Sequence, residues 1–280
     1  NADEIIVSIR GLLKSFHIRP YNEDTGYGLL RHVLIRTGHV TGQIMVVLVL
    51  ASPILPSKNN FLKALLKLHP EITTVVINVN NRNTSMVLGD KEHVIYGKGY
   101  IEDELCGKRF RISPKSFYQV NPVQTEVLYG TALEYAGLTG KETVWDVYCG
   151  IGTISLFLSQ KAQKVYGVEI VPQAIEDAKH NAEINEITNA EFFVGKAEEV
   201  LPEYYVDYAK EHPGEHARAD VIVVDPPRKG CERSVLDTMV QMEPERIVYV
   251  SCDSATLARD VKYLRENGYE IRKVKATDMF

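Results

Sequence analysis

The chain has 280 residues, of which 45% are apolar and 25% charged, and its net charge is −5. This is the composition of an ordinary globular protein with one or two domains, and no apolar run approaches the roughly 20 residues of a membrane-spanning helix. The four cysteines, at positions 106, 149, 231 and 252, are far apart and form no C-x-x-C pair. That spacing argues against a metal site, an iron–sulfur cluster or a disulfide framework within this chain. We therefore expect a reducing, cytoplasmic location.

The first part of the chain predicts an α+β domain over residues 1–113. Residues 1–15 have the apolar spacing of an amphipathic helix, and residues 56–69 predict a second one. Apolar, β-branched runs predict four strands, over residues 30–36, 43–50, 73–79 and 85–88. The glycine-rich stretch 37–42 lies between the first two strands and predicts a hairpin turn.

The charge distribution gives a weak indication that this first domain meets a polyanion. Residues 1–100 contain 11 Lys and Arg against 7 Asp and Glu, whereas the rest of the chain is acidic. Four basic or imidazole side chains fall on the predicted hairpin: Arg31, His32, Arg36 and His39. They could contact RNA phosphates, or they could simply face solvent, and the sequence favours neither alternative.

The second part, residues 114–280, predicts a doubly wound α/β domain because short strands and helices alternate along it. A helix should begin after Asn121, a good N-cap followed by Pro122, and end near Gly137. Strands are expected near residues 143–148, 164–169, 190–194, 220–225, 246–251 and 269–274. Helices are expected near residues 153–161, 172–184, 196–210, 232–241 and 255–266, with a surface loop reaching residue 219.

A glycine turn follows the first strand of this second domain. Tyr148 and Cys149 lead into Gly150 and Gly152, and a helix is predicted from Thr153. Glycines let a ligand approach the backbone, and the following helix offers free N–H groups. Glu169 ends the next strand, 19 residues after Gly150, where a carboxylate can accept both hydroxyls of a ribose. An ordinary tight turn is the alternative, but the spacing favours a nucleoside ligand.

Two further strands end on reactive side chains. Asp225 follows the run 221–224 and precedes two prolines, and Cys252 follows the run 246–251. Ligands of open α/β sheets bind at the carboxyl ends of the strands, so we expect both side chains at one crevice. A helix start near Ala255 would favour a thiolate at Cys252. The alternatives are a helix-capping Asp225 and an inert cysteine, and inertness is all that we expect of the other three cysteines.

Taken together, these motifs resemble a known enzyme family. The resemblance rests on Gly28–His32, Phe117–Asn121, Asp146–Thr153, Gly167–Glu169, Asp225–Gly230 and Ser251–Asp260. These stretches closely resemble the RNA 5-methyluridine (uracil-C5) methyltransferase family, especially its members that act on 23S ribosomal RNA. The resemblance implies an α/β fold: a class I S-adenosylmethionine-dependent methyltransferase with a Rossmann-like doubly wound sheet, behind a smaller N-terminal α+β domain that contacts RNA.

The resemblance also implies a chemistry and a set of site residues. Cys252 would add to C6 of uracil, which makes C5 nucleophilic enough to take the methyl group of S-adenosyl-L-methionine. The candidate cofactor-binding residues are Gln119, Tyr148, Gly150, Gly152, Thr153, Glu169 and Asp225. The family's general-base glutamate is expected beyond Phe280, and its N-terminal TRAM domain and four-cysteine cluster are not found here. We therefore expect the chain to be a fragment that lacks both ends of such an enzyme.

Two rival functions remain open on the sequence. An exocyclic-amine N-methyltransferase also uses an Asp-Pro-Pro loop, although it usually places an aromatic residue where this chain has Arg228. A catalytically silent RNA-binding module that keeps a nucleoside pocket is the second rival. Tolerance of Cys252→Ala would indicate the first rival, and failure to bind S-adenosylmethionine would indicate the second.

Overall fold

A computed structural model describes residues 2–213 and 219–279, so part of the predicted surface loop, residues 214–218, lies outside the described residues. The chain divides into two units, which are described separately below. Unit 1 comprises residues 1–104 and 110–115, and unit 2 comprises residues 105–109 and 116–280. No helix in the described part of the chain is long and apolar enough to cross a membrane.

Unit 1 contains a four-stranded sheet in the order β1-β2-β3-β4. Its elements are α1 (Ala2–Ser15), β1 (Leu30–Thr37), β2 (Ile44–Leu50), α2 (Lys58–Leu68), β3 (Ile72–Val79), β4 (Lys91–Tyr96), β5 (Ile101–Leu105) and β6 (Lys108–Ile112), the last two ending at or crossing its boundary with unit 2. β2 and β3 are parallel, because α2 connects them, and the outer strands β1 and β4 are antiparallel to their neighbours. All seven residues of β2 are buried, which explains their unbroken apolar run.

The core of unit 1 lies between this sheet and its two helices. Ile5 and Ile9 recur at the helical spacing of four and form one buried cluster with Phe61 and Leu65 of α2 and with alternate residues of β2 and β3. Arg31, a candidate phosphate ligand, is part of this framework. Its guanidinium is almost fully buried, pairs with Glu23 at 2.8 Å and donates to the carbonyl of Asn80 at 3.0 Å. Of the two alternatives left open for Arg31, the solvent-facing side chain is therefore wrong, because the guanidinium is buried within unit 1.

The predictions for residues 85–112 need two corrections. Residues 85–88 form no strand, because the side-chain amide of Asn80 donates to the carbonyls of Met86 and Val87 and folds the segment into a loop. The last strand of the sheet is β4. The hairpin of β5 and β6 was not predicted, since its turn uses Cys106 and Gly107, both at positive φ, in place of the usual Asn-Gly pair.

Unit 2 contains a five-stranded sheet in the order β11-β10-β7-β8-β9, with every neighbouring pair parallel. Its strands are β7 (Thr143–Val147), β8 (Lys164–Glu169), β9 (Ala190–Val194), β10 (Val221–Val224) and β11 (Arg246–Tyr249). Its helices are α3 (Pro122–Ala136), α4 (Thr153–Leu158), α5 (Pro172–Ile184), α6 (Ala197–Glu211), α7 (Arg233–Gln241) and α8 (Ser254–Glu266). The predicted alternation of strands and helices is confirmed, and it produces a Rossmann-like, doubly wound α/β unit.

The predicted strand at residues 269–274 is wrong. The segment pairs with no strand in the described part of the chain, and near its end the lysine side chains contact α3. Lys273 lies 3.1 Å from Glu134, and the ammonium of Lys275 donates to Thr131 at 3.0 Å. A β-prone sequence becomes a strand only where a neighbouring strand supplies hydrogen bonds.

The core of unit 2 is built around Trp145 in the central strand. Its indole is fully buried, lies 4.9 Å from the ring of Tyr166 and 5.3 Å from that of Tyr204, and donates to the hydroxyl of Tyr205 at 2.8 Å. A buried indole N–H needs such an acceptor. These aromatic contacts pack α6 against the sheet.

Candidate active site

The strand order of unit 2 reverses beside β7. From this central strand the chain proceeds to β8 and β9 on one side, and later to β10 and β11 on the other. In open parallel sheets a ligand crevice forms outside the carboxyl ends of the strands at such a reversal. Glu169 is the last residue of β8, and the segments that follow β7, β10 and β11 carry the glycine turn, Asp225 and Cys252. Those ends are mutually hydrogen-bonded: the amide of Tyr148 donates to Val168 at 3.0 Å.

The turn after β7 requires its glycines for different reasons. Gly152 is the N-cap of α4 at a φ of +81°, and a Cβ there would lie 3.1 Å from the ring of Phe192 and 3.2 Å from Ala178. Gly150 has a φ of +54°, but a Cβ there would meet nothing within 4 Å. Gly152 therefore closes the turn against α5 and β9, whereas the surface over Gly150 is open to a ligand.

Thr153, the first residue of α4, connects this turn to α3. Its hydroxyl lies 3.0 Å from the hydroxyl of Tyr129, a buried residue of α3. Burial raises the pKa of the Tyr129 phenol, so it remains protonated and can serve as a donor. Tyr129 could not be predicted as a neighbour of the turn, because in the sequence it has the pattern of an ordinary core aromatic.

Glu169 ends β8 with its side chain half-buried. One carboxylate oxygen accepts the amide of Val171 at 3.0 Å, and the carbonyl of Glu169 accepts the amide of Gly195 at 3.0 Å. The first bond orients the carboxylate at the start of α5, and the second fixes its backbone. Such a fixed, partly solvated carboxylate is suited to accept hydroxyl groups.

Two carboxyl groups with raised pKa values lie near the carboxyl ends of the neighbouring strands β7 and β10. Asp146 in β7 is fully buried, and burial raises its pKa to about 7, although one of its oxygens accepts the hydroxyl of Ser155. Burial also raises the pKa of Asp225 to about 6. The negative charge of Asp225 also contributes to the raised pKa of Asp146. A cationic ligand beside them would favour the charged forms of both.

Cys252 is the exposed cysteine among the four. Cys149 and Cys231 are buried, and Cys106 is half-buried. Burial raises the pKa of the Cys231 thiol to about 12 and that of the Cys106 thiol to about 11. Burial also raises the pKa of the Cys149 thiol, so all three thiols are protonated near neutral pH. Accessibility, the first requirement for a nucleophile, distinguishes Cys252 from them.

The loop that holds Cys252 is fixed on both sides. The hydroxyl of Ser251 donates to the carbonyl of Asp253 at 2.9 Å, and the carboxylate of Asp253 accepts the amides of Ala255 at 3.0 Å and Thr256 at 2.9 Å. α8 thus begins at Ser254, and Asp253 is its N-cap. The expectation that the free end of the helix favours a thiolate needs correction, because a carboxylate already occupies that end.

Gln119 lies on the segment that precedes α3. Its side chain is half-buried, between the strongly exposed Phe117 and Val120. The segment is anchored on both sides: the hydroxyl of Ser116 donates to Asp177 at 3.0 Å, and the Asn121 side chain accepts the amide of Gln124 at 3.2 Å. This places an exposed apolar strip next to a polar side chain. The described residues contain no cluster of His, Cys, Asp and Glu that could hold a metal ion.

A family model described as tRNA (uracil-5-)-methyltransferase matches residues 38–280. The chain belongs to this family. An uncharacterized RNA methyltransferase of Bacillus cereus is 51% identical over 278 residues, which are 99% of this chain and 59% of that protein. A similar protein of Clostridium acetobutylicum is 50% identical over 280 residues, again 59% of its length. The chain thus spans 59% of the length of these curated relatives.

Among solved structures, the chain is similar to the Pyrococcus abyssi tRNA (uracil-54, C5)-methyltransferase in complex with S-adenosyl-L-homocysteine. The TM-score is 0.73 at 28% sequence identity, over 92% of this chain and 59% of that one. The predicted fold, a Rossmann-like methyltransferase sheet with a smaller N-terminal α+β domain, is confirmed by this similarity and by the sheet order.

Proposed function

We propose that this chain is part of an enzyme that transfers a methyl group from S-adenosyl-L-methionine to C5 of uracil in RNA. The observation that carries the proposal is the exposed thiol of Cys252, on the same sheet edge as the glycine turn, Glu169 and Asp225. Membership of the uracil-5 methyltransferase family supports it. The rival N-methyltransferase and binding-module functions leave this exposed thiol without a use.

The residues present fit the cofactor by their own chemistry. The open surface over Gly150 allows close backbone approach, and Glu169 can accept the ribose hydroxyls. Asp225 supplies a carboxyl group whose charged form is favoured by a neighbouring cation, and the sulfonium of the cofactor is such a cation. Tyr148, Gly152, Thr153 and Gln119 complete the proposed cofactor site. When bound, S-adenosyl-L-methionine supplies the methyl group.

Cys252 carries the covalent step in this proposal. Its sulfur forms a bond to C6 of uracil, and the C5–C6 π electrons move towards C5 and O4, so C5 becomes enolate-like and nucleophilic. Once C5 has been methylated, a base removes the C5 proton, the electrons re-form the C5–C6 double bond, and the thiolate leaves. Ser251 and Asp253 hold the loop during this sequence, since their hydrogen bonds do not involve the thiol.

The RNA class is the finer part of the proposal. The sequence motifs favour 23S ribosomal RNA, whereas the descriptions of the matching family and of the Pyrococcus abyssi enzyme both specify tRNA. The Bacillus cereus relative is named only as an RNA methyltransferase. Ribosomal RNA therefore stays a prediction. Methylation of unmodified 23S ribosomal RNA and unmodified tRNA by the full-length enzyme, compared at equal concentration, distinguishes the two.

The test of the chemistry is a trapped adduct. The full-length enzyme, S-adenosyl-L-methionine and 5-fluorouridine RNA should form a stable protein–RNA complex, because fluorine at C5 cannot leave as a proton does. Peptide mass spectrometry should locate the RNA on Cys252, and Cys252→Ala should abolish the adduct. The matched control is Cys106→Ala, which removes the next most accessible thiol and should leave adduct formation unchanged. Methylation by Cys252→Ala at the wild-type rate would refute the proposal.

A further inference from the structure

A buried carboxylate behind the crevice connects the two loops that carry Asp225 and Cys252. Asp260 lies on α8 and is fully buried. One of its oxygens accepts the amide of Cys231 at 2.8 Å and the hydroxyl of Tyr249 at 2.6 Å, and the other accepts Nε of Arg259 at 2.7 Å. The group therefore joins the end of β11, the loop after β10 and α8 through charge-assisted hydrogen bonds.

Arg259 extends the same network along the Asp-Pro-Pro loop. Its Nη2 donates to the carbonyl of Lys229 at 2.9 Å and to that of Cys231 at 3.2 Å. One turn earlier on α8, the hydroxyl of Thr256 donates to the carbonyl of Arg228 at 3.1 Å. Side chains of the first two turns of α8 thus hydrogen-bond the backbone of residues 228–231.

Glycine at position 230 allows the loop to lie this close to α8. Gly230 adopts a φ of +77°, and a Cβ there would lie 2.5 Å from Nη2 of Arg259 and 2.6 Å from a carboxylate oxygen of Asp260. Any side chain at this position would push the loop away from α8. The geometry therefore depends on three features together: the glycine, the buried carboxylate and the guanidinium.

We propose that Asp260 is a positioning residue for the methyl transfer described above. α8 begins just after Cys252, and the loop that Asp260 holds begins at Asp225. One side chain thereby sets where the proposed nucleophile and the proposed cofactor carboxylate stand relative to one another. Asp260 touches neither substrate nor cofactor in this role. The inference rests on the proposed function, and its test separates the two.

The test compares Asp260→Asn with a matched control, Asp237→Asn, in the full-length enzyme. Like Asp260, Asp237 accepts hydrogen bonds from an arginine (Arg233, at 3.0 Å) and a tyrosine (Tyr263). Unlike Asp260, it lies on α7 and accepts none from the loops of the crevice. Asparagine keeps one acceptor at each site and removes the charge. Each variant is assayed well below its own melting temperature, so that a loss of fold is not mistaken for a loss of positioning.

We expect Asp260→Asn to lower kcat and the rate of 5-fluorouridine adduct formation by about tenfold or more, with less than a twofold change in RNA affinity. Asp237→Asn should change each quantity less than twofold. Tyr249→Phe, which removes one donor from Asp260, should give a smaller loss of kcat in the same direction and serves as the test if Asp260→Asn does not fold. A folded Asp260→Asn variant with the kcat of the wild type would overturn the inference. If Asp260→Asn does not fold, a wild-type kcat in Tyr249→Phe would overturn it. Equal losses of kcat in the Asp237→Asn control would overturn it as well.

The same experiment distinguishes the inference from the proposed function. A wild-type enzyme that forms no adduct and no 5-methyluridine refutes the proposed function itself. An active wild-type enzyme whose Asp260→Asn variant is equally active refutes only the positioning role.

Discussion

At the scale of single residues, the site combines one accessible thiol with carboxyls that are protonated more readily than usual. Burial raises the pKa of Asp146 to about 7 and that of Asp225 to about 6, whereas Cys252 is exposed. Buried carboxyls of this kind destabilise the protein when they ionise without a cationic partner. The unliganded site is therefore expected to be most stable when these groups hold protons.

The first prediction concerns the pH dependence of stability. Between the usual pKa of an aspartate and about 7, the folded state holds a proton on Asp146 that the unfolded state has lost. The free energy of unfolding should therefore fall as pH rises through this window, with an upper bound of about 1.4 kcal/mol per pH unit from this group. Urea unfolding at pH 5.5 and pH 8 measures the change. Asp146→Asn, which cannot ionise, should show a smaller fall, and identical slopes in both proteins would contradict the assignment.

The two glycines of the turn give a matched pair for a second prediction. Gly150→Ala introduces only the strain of a left-handed backbone, about 1 kcal/mol, because a Cβ there has open space. Gly152→Ala adds a collision with Phe192 and Ala178 and should cost about 1–2 kcal/mol more. Equilibrium urea unfolding measures both variants. Equal destabilisation of the two would show that steric contact with α5 and β9 does not fix the turn.

At the scale of elements, α8 is the helix that begins beside Cys252, and its N-cap gives the third prediction. Asp253→Ala removes two hydrogen bonds to backbone amides and should lower the free energy of unfolding by about 1 kcal/mol. Asp253→Asn keeps an acceptor and should lose less. Those hydrogen bonds lower the pKa of Asp253, so the difference between aspartate and alanine should shrink as pH falls towards 3. A difference that is unchanged at low pH would contradict the capping role.

The elements also show what the sequence could predict and what it could not. In unit 2, apolar runs and cap residues sufficed for β7 to β11 and for six helices, because each carries a local signal such as Asn121-Pro122. The predicted strand at 269–274 was wrong because strand formation depends on a partner, which no local pattern specifies. The short hairpin of β5 and β6 was missed because Cys106-Gly107 is an unusual turn pair.

The residues of the candidate site also fall into those that the sequence could predict and those that it could not. Glu169, Asp225 and Cys252 could be predicted because each stands at the end of a predicted strand, whereas Gln119 came only from the family resemblance; the roles of all four remain proposals. Asp260 and Tyr129 were missed, because a buried aspartate in a helix and a core tyrosine are explained only by their tertiary partners. A signal for Asp260 did exist: it lies in the motif Ser251–Asp260, two helical turns after Cys252.

At the scale of the whole molecule, the candidate cofactor residues all belong to unit 2, whereas unit 1 contributes none of them. A ligand that binds only the folded state stabilises it by about 2.7 kcal/mol at a concentration one hundred times its Kd. Hydrogen exchange reports such stabilisation locally, because amides near the ligand open less often. The distribution of protection along the chain is therefore a direct test of where the cofactor binds.

The fourth prediction follows from that distribution. Saturating S-adenosyl-L-homocysteine should slow exchange in peptides that cover the glycine turn at 148–153, Glu169 and Asp225, and should leave β2 of unit 1 unchanged. Glu169→Gln should weaken binding by about tenfold, because an amide oxygen accepts ribose hydroxyls less strongly than a carboxylate does. Glu191→Gln, on the neighbouring strand β9 and outside the proposed site, is the control and should bind as the wild type does. Protection that is absent from the glycine turn, in a protein that still binds RNA, would instead favour a silent RNA-binding module.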